Sequence, residues 1–167
     1  MNFAEQWQKA MTYQQFLEGS RSNRGLWEGL YRLARIPDWA IAAGAERSRK
    51  MLVLVEDWCG DASNTIPILA RWADESPAVE LRILKRDENP ALMSRYLTNG
   101  SRSIPIVIVL DGELNELGHW GPRPRALQKW VMENRATIPK AELYPQVRQW
   151  YARDRGESTI REVAEIH

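Results

Sequence analysis

The stretch from Met51 to Leu69, MLVLVEDWCGDASNTIPIL, constrains this chain more than any other. Met51-Leu52-Val53-Leu54-Val55 is an unbroken apolar run. It has no helical period and is too short to cross a membrane, so it reads as a buried strand. Glu56 and Asp57 follow, then Trp58-Cys59-Gly60-Asp61. Asp61, Ser63 and Asn64 are good capping residues ahead of a further apolar run, so a helix is expected to open here. The chain's one cysteine therefore stands where a strand gives way to a helix. First-turn N–H groups stabilise an anion, so a thiol in that place is expected to ionise more easily than a free one. The other reading of a lone cysteine is a small buried hydrophobe.

Composition narrows the function classes. A chain of 167 residues suits one domain with decorations and can bury a sizeable core. With 23 basic and 22 acidic residues and a net charge of +1, neither a nucleic-acid surface nor an acidic tail is implied. A single cysteine argues against a disulfide-stapled scaffold. No basic-then-apolar leader and no membrane-length apolar run is visible, so a cytoplasmic protein without membrane partners is the expectation. His119 and His167 lack a metal-ligand pattern, and no glycine-rich phosphate loop is present, so no metal is expected.

Around the central stretch the chain reads as alternating helix and strand. Residues 1–49 carry no strand signal and form an N-terminal helical cap. Phe3, Trp7, Ala10 and Met11 recur at helical spacing over 2–11. Thr12-Tyr13-Gln14-Gln15 resembles a capping box. Leu26, Leu30, Leu33 and Ala34 give another stripe that stops at Ile36-Pro37, because the residue before proline disfavours helix. A further helix is expected over 39–49. Residues 50–134 form the core. A helix over 62–75 is bent by Pro67, and a strand over 79–84 follows. A helix through Leu92, Met93, Tyr96 and Leu97 stops at Asn99-Gly100. Strands over 106–110 and 114–120 flank a turn at Asp111-Gly112, and a last core helix spans 123–134. Residues 135–167 form a C-terminal helical extension, with a stripe at Val147, Trp150 and Tyr151 and a final helix over 157–165.

Five features fall together in order and spacing. Trp58-Cys59-Gly60 opens the motif. Pro67 stands in the helix behind it. Asp87-Glu88-Asn89-Pro90 follows the next strand. Ser103-Ile104-Pro105 precedes an apolar run. Gly121 follows the last strand. On these the chain resembles the thioredoxin-like superfamily, and within it a bacterial group with a single-cysteine Trp-Cys-Gly-Asp-Ala or -Ser motif. The resemblance covers residues 50–134. It implies an α/β thioredoxin-like fold, a central mixed sheet flanked by helices, with extra N- and C-terminal helices here. It also implies a cis Ile104–Pro105 bond beside the cysteine. There the Ile104 backbone would pair with an extended peptide or with glutathione, like an added strand.

Two departures shape the functional reading. Ala62 replaces the second cysteine of the usual motif, so the two-cysteine cycle, which needs a resolving thiol, is excluded. Val53 and Ile83 stand where the family carries a buried acid and its lysine partner. Glu56, Asp57 and Asp61 should oppose ionisation of Cys59, while the helix start favours it. Of Arg102 and Arg123, Arg102 is expected to come closer to the cysteine and could also hold a substrate carboxylate. The resulting expectation is a monothiol thiol–disulfide oxidoreductase. Cys59 is its catalytic residue, and Trp58, Gly60, Asp61, Arg102, Ile104 and Pro105 bind substrate. No cofactor is expected; glutathione or another low-molecular-weight thiol serves as co-substrate, and the partner is that thiol or a disulfide-containing protein. The alternative is a redox-inactive module that binds a peptide or protein in the same groove.

Overall fold

A computed structural model describes residues 3–167. Four strands form one mixed sheet in the order β2-β1-β3-β4, with β1 at Arg49–Val55, β2 at Val79–Lys85, β3 at Ile106–Leu110 and β4 at Glu116–Trp120. β1 runs parallel to β2, pairing Val53 with Ile83. It runs antiparallel to β3, pairing Val53 with Val107. β3 and β4 make an antiparallel hairpin with an irregularity at Val109/Leu110. Every residue of β3 and all of Met51–Val55 are buried. This is why β1 and β3 read as continuous apolar runs, as strands covered on both faces do.

Helices supply those covers. Four lie ahead of the sheet in sequence, α1 (Phe3–Lys9), α2 (Tyr13–Gly19), α3 (Arg24–Leu33) and α4 (Asp38–Glu46). The expected start of the first helix at residue 2 lies outside the described residues. Phe3, Trp7, Phe16 and Trp27 from this cap enter the main core. The capping box at Thr12 is present: its hydroxyl accepts from the Gln15 N–H, and the Gln15 side chain accepts from the Thr12 N–H. Between α1 and α2, Met11 bridges Ile83 through two backbone hydrogen bonds of 2.8 Å. The cap thus pairs with the free side of β2 and blunts an edge that would otherwise offer unpaired N–H and C=O groups.

After β1 comes the central helix α5 (Gly60–Asp74), followed by a 3-10 turn at Arg86–Glu88 and the short α6 (Pro90–Met93). The C-terminal part consists of α7 (Arg125–Asn134), α8 (Lys140–Asp154) and α9 (Glu157–Ala164). Leu127, Val131, Leu143, Val147 and Tyr151 make a second, smaller core between α7 and α8. α9 turns back onto α4, α5 and β4. The turn that sends it back runs through Arg155 and Gly156, both at positive φ (57° and 78°). A Cβ on Gly156 would come within 2.5 Å of Ile68, so glycine lets this turn press against α5.

Several boundaries differ from the sequence expectations for identifiable reasons. β1 starts at Arg49 rather than Met51, and α4 accordingly stops at Glu46. Arg49 is 2% exposed; its guanidinium donates to the Ala164 carbonyl at 3.0 Å and lies over the Trp72 ring. A charge in that place hides the strand start from a hydropathy reading. β4 starts at Glu116 rather than Leu114, because Asp111 gathers the turn: its carboxylate accepts from the N–H groups of Glu113 and Asn115, and Leu114 takes φ 69°. α6 ends at Met93, so Tyr96 and Leu97 lie beyond the helix, in the segment that leads to the Thr98–Ser101 bridge. α7 begins after Pro122 and Pro124, not at residue 123.

Candidate functional site

Cys59 is the N-cap residue of α5, with φ −75° and ψ 117°. Its Sγ accepts from the Ala62 N–H at 3.5 Å. Its S–H donates to the Ile104 carbonyl at 3.4 Å. That carbonyl belongs to the Ile104–Pro105 peptide bond, which is cis. The strand end, the helix start and the proline loop therefore meet at one sulfur. Gly121 completes this corner. It has φ +127°, and a Cβ there would fall 2.1 Å from the Pro105 carbonyl oxygen, so only glycine admits the close approach of the two backbones.

Cys59 is 8% exposed, and its thiol pKa is pushed up to about 11. Burial is the largest cause, because a thiolate loses hydration there. The Asp61 charge adds to the rise. The Ala62 and Asp61 N–H groups and the Arg123 charge work against it. The helix start thus acts in the expected direction, but desolvation outweighs it, and the thiol is harder to ionise than a free one.

The charges around the motif are arranged differently from expectation. Glu56 and Asp57 are not among the charges that shift the thiol, and each accepts from backbone donors elsewhere. Glu56 accepts from the Asp87 N–H at 3.1 Å. Asp57 accepts from Arg21 N–H at 2.8 Å and Ser22 N–H at 3.2 Å, and its carbonyl accepts from the Trp27 indole at 3.0 Å. The loop between α2 and α3 therefore clasps the residues just before the cysteine. Arg102 does not supply the cation beside the thiol. Its side chain is half exposed and reaches Asp87 at 3.9 Å.

Arg123 takes that place. It grips Asp61 with two parallel contacts, Nε to Oδ1 at 3.0 Å and Nη2 to Oδ2 at 3.0 Å, the fork geometry that suits a guanidinium to a carboxylate. Its remaining Nη1 donates to Gln128 at 2.8 Å. The Tyr151 hydroxyl, from α8, donates to the same Asp61 Oδ1 at 2.6 Å. Burial and the Asp61 charge raise the Tyr151 pKa far above the ordinary phenol value, so Tyr151 stays a donor. Asp61, expected to bind substrate, is thus fully engaged within the protein. Neither Tyr151 nor Gln128 carried a sequence signal: Tyr151 reads only as part of an apolar stripe, 90 residues from its partner.

The other expected site residues line the rim. Trp58 is 52% exposed, with the Arg86 guanidinium 5.2 Å from its ring centroid. Gly60 is exposed with open space around it. Ile104 and Pro105 are buried. His119 lies edge-on to Tyr96. Among the described residues, no three His, Cys, Asp or Glu side chains converge as metal ligands, and no helix is long and apolar enough to cross a membrane.

With this geometry in view, comparison with known proteins locates the chain. A family model described as thioredoxin matches residues 10–140, reaching further toward the N-terminus than the motifs do. A crystal structure of a protein of unknown function from Pseudomonas aeruginosa superposes with a TM-score of 0.79. It is 23% identical, over 99% of this chain and 96% of that one. An HIV epitope-scaffold superposes with a TM-score of 0.77 at 22% identity, over 99% of this chain and 97% of that one. At these identities both are similar in fold alone. No curated protein matches the sequence. The helix-capping cysteine, the proline loop against it and a family match over most of the chain lead to one conclusion: this chain belongs to the thioredoxin family.

Proposed function

We propose that the protein exchanges thiols and disulfides through the single cysteine of its Trp-Cys-Gly-Asp-Ala motif, as a cytoplasmic monothiol member of its family. The observation that carries this reading is the contact between Cys59 Sγ and the carbonyl before Pro105. It puts the one nucleophile of the motif at the loop where an extended, disulfide-bearing chain can pair. In the reaction, Cys59 loses its proton to solvent and its sulfur attacks one sulfur of a disulfide. A mixed disulfide forms at Cys59, and the other sulfur leaves as a thiolate that takes up a proton. A second, external thiolate then attacks the substrate-derived sulfur and releases Cys59. The two steps exchange partners with no net change in oxidation state, so glutathione or a similar small thiol suffices as co-reactant. A lone thiol without a resolving partner is at home in a reducing compartment.

In the alternative reading, the same chemistry serves as a stored mark or is idle in a groove that binds a partner. With a pKa near 11, only on the order of one thiol in ten thousand is ionised at neutral pH. A thiol of high pKa is also a poor leaving group, so its mixed disulfide is slow to resolve.

Incubation of the folded protein with oxidised glutathione at pH 8, followed by intact mass, separates these readings. An adduct on Cys59 that reduced glutathione removes over repeated cycles supports the oxidoreductase. An adduct that persists in excess reduced glutathione supports the stored mark. No adduct, with Cys59 alkylation half-maximal well above pH 8.5, the ordinary thiol value, overturns redox function and leaves the partner-binding groove.

A further inference from the structure

We infer that the cleft between α3 and α8 is a binding site for a small amphipathic anion, a molecule with one apolar chain and one carboxylate head. The cleft encloses about 640 Å³, within the range of small-molecule sites. Its floor is apolar: Leu30, Ile36 and Ile68 line it, and Leu33, also in the lining, is 70% exposed. Its rim is cationic. Arg35, Arg148 and Arg155 converge on it from the end of α3, from α8 and from the turn before α9. Among the described residues no carboxylate lies within ion-pair distance of any of the three. Glu157 is the one acid in the lining.

That combination selects the ligand class. Arginines left without acids on the edge of an apolar trough offer forked donors to a carboxylate, while the trough takes hydrocarbon out of water at about 25 cal/mol per Å². A hydrophilic anion would gain only the first term and a neutral hydrocarbon only the second. A cationic amphiphile would gain the floor but meet three positive charges. The site is distinct from the thiol. Tyr151 is shared between them: it is among the residues lining the cleft, and its hydroxyl holds Asp61.

Decanoate, titrated below its micelle concentration into the full chain by calorimetry, tests the site without any reference to redox activity. The expected result is saturable binding of one decanoate per chain, weakened about tenfold by each of Arg35→Ala and Arg148→Ala, the loss of one charge-assisted contact. Leu33→Asn weakens it too, and the Cys59→Ser protein binds as the native one does. Near-ultraviolet circular dichroism of each variant must match the native spectrum; if an alanine variant fails that check, Arg148→Lys, which keeps the charge and loses the fork, takes its place and is expected to weaken binding less. Absence of saturable binding overturns the proposal, as does equal affinity for acetate or for decyltrimethylammonium. So does native-like affinity in the arginine variants. A chain that is dimeric by sedimentation and indifferent to decanoate would assign the cleft to a second copy instead.

Discussion

Two regions meet at Cys59, and they treat charge in opposite ways. The sheet interior, to whose apolar cluster Cys59 belongs, contains none at the positions that would be expected to hold it. Val53 and Ile83 face each other across β1 and β2, both fully buried, where the family resemblance places an acid and a lysine. The flank of α5, in contrast, concentrates charge and satisfies it: Asp61 receives the Arg123 fork and the Tyr151 hydroxyl. In this chain the carboxylate of the site stands beside the helix start and is already paired with Arg123 and Tyr151. The ionisation of the thiol is therefore set chiefly by burial, with charge as a correction.

The most severe way to break this contrast is to put the acid back in the interior. Val53→Asp should destabilise the fold by about 4 kcal/mol or more, since a carboxylate there has Ile83 rather than a lysine to face. Chemical denaturation measures it; a loss under 1 kcal/mol would show an interior already prepared for charge. Gly121 links the two regions, carrying the chain from β4 toward Arg123. Gly121→Ala drives a Cβ into the Pro105 carbonyl and should cost roughly 2–4 kcal/mol, again read by denaturation.

Titration then sharpens the claim that burial dominates. The Cys59 pKa is raised on folding, from an ordinary 9.0 to about 11, so the folded state holds the proton more tightly than the unfolded one. The stabilisation is fully present below pH 9 and is lost as pH rises toward 11. Relative to Cys59→Ser, native stability should fall by on the order of 2–3 kcal/mol across that window. The comparison with the serine variant matters, because tyrosines with raised pKa values, Tyr151 among them, lose stability in the same direction. A flat difference would place the thiol in water.

The smallest effects concern the flank. Removing the acid with Asp61→Asn should speed alkylation of Cys59 at pH 9 roughly threefold to tenfold. Removing the cation with Arg123→Ala should slow it by a similar factor. Opposite signs uphold the role of charge as a correction to burial. A change in the same direction for both would mean that the pair acts by holding α8 in place rather than by its field.

How much of this was legible in the sequence follows from how local each signal is. The strand, the cysteine and the start of α5 are specified within a few residues, and the apolar runs of β1 and β3 announce strands covered on both faces. The capping box at Thr12 was readable for the same reason. The clasp of Asp57 by Arg21 and Ser22 was not, because backbone donors in a loop have no residue signature. The sequence points to Arg102 rather than Arg123, because the Arg102 loop ends beside the cysteine. The loop does, but the side chain turns outward to Asp87, and only the folded path of β4 brings Arg123 back across α5. Tyr151 had a helical stripe to explain it and nothing that pointed to Asp61.

The hydrogen bond from Tyr151 to Asp61 has a consequence for the order in which the protein is made. Its ends are separated by 90 residues, and at translation rates of 5–20 residues per second the second end follows the first by about 5–18 s. During that interval α5 and its thiol exist without α8, and until Arg123 is made, 62 residues after Asp61, the Asp61 carboxylate lacks both of its partners. The chain thus passes through a period in which its one cysteine is met by the cell before the finished protein has covered it.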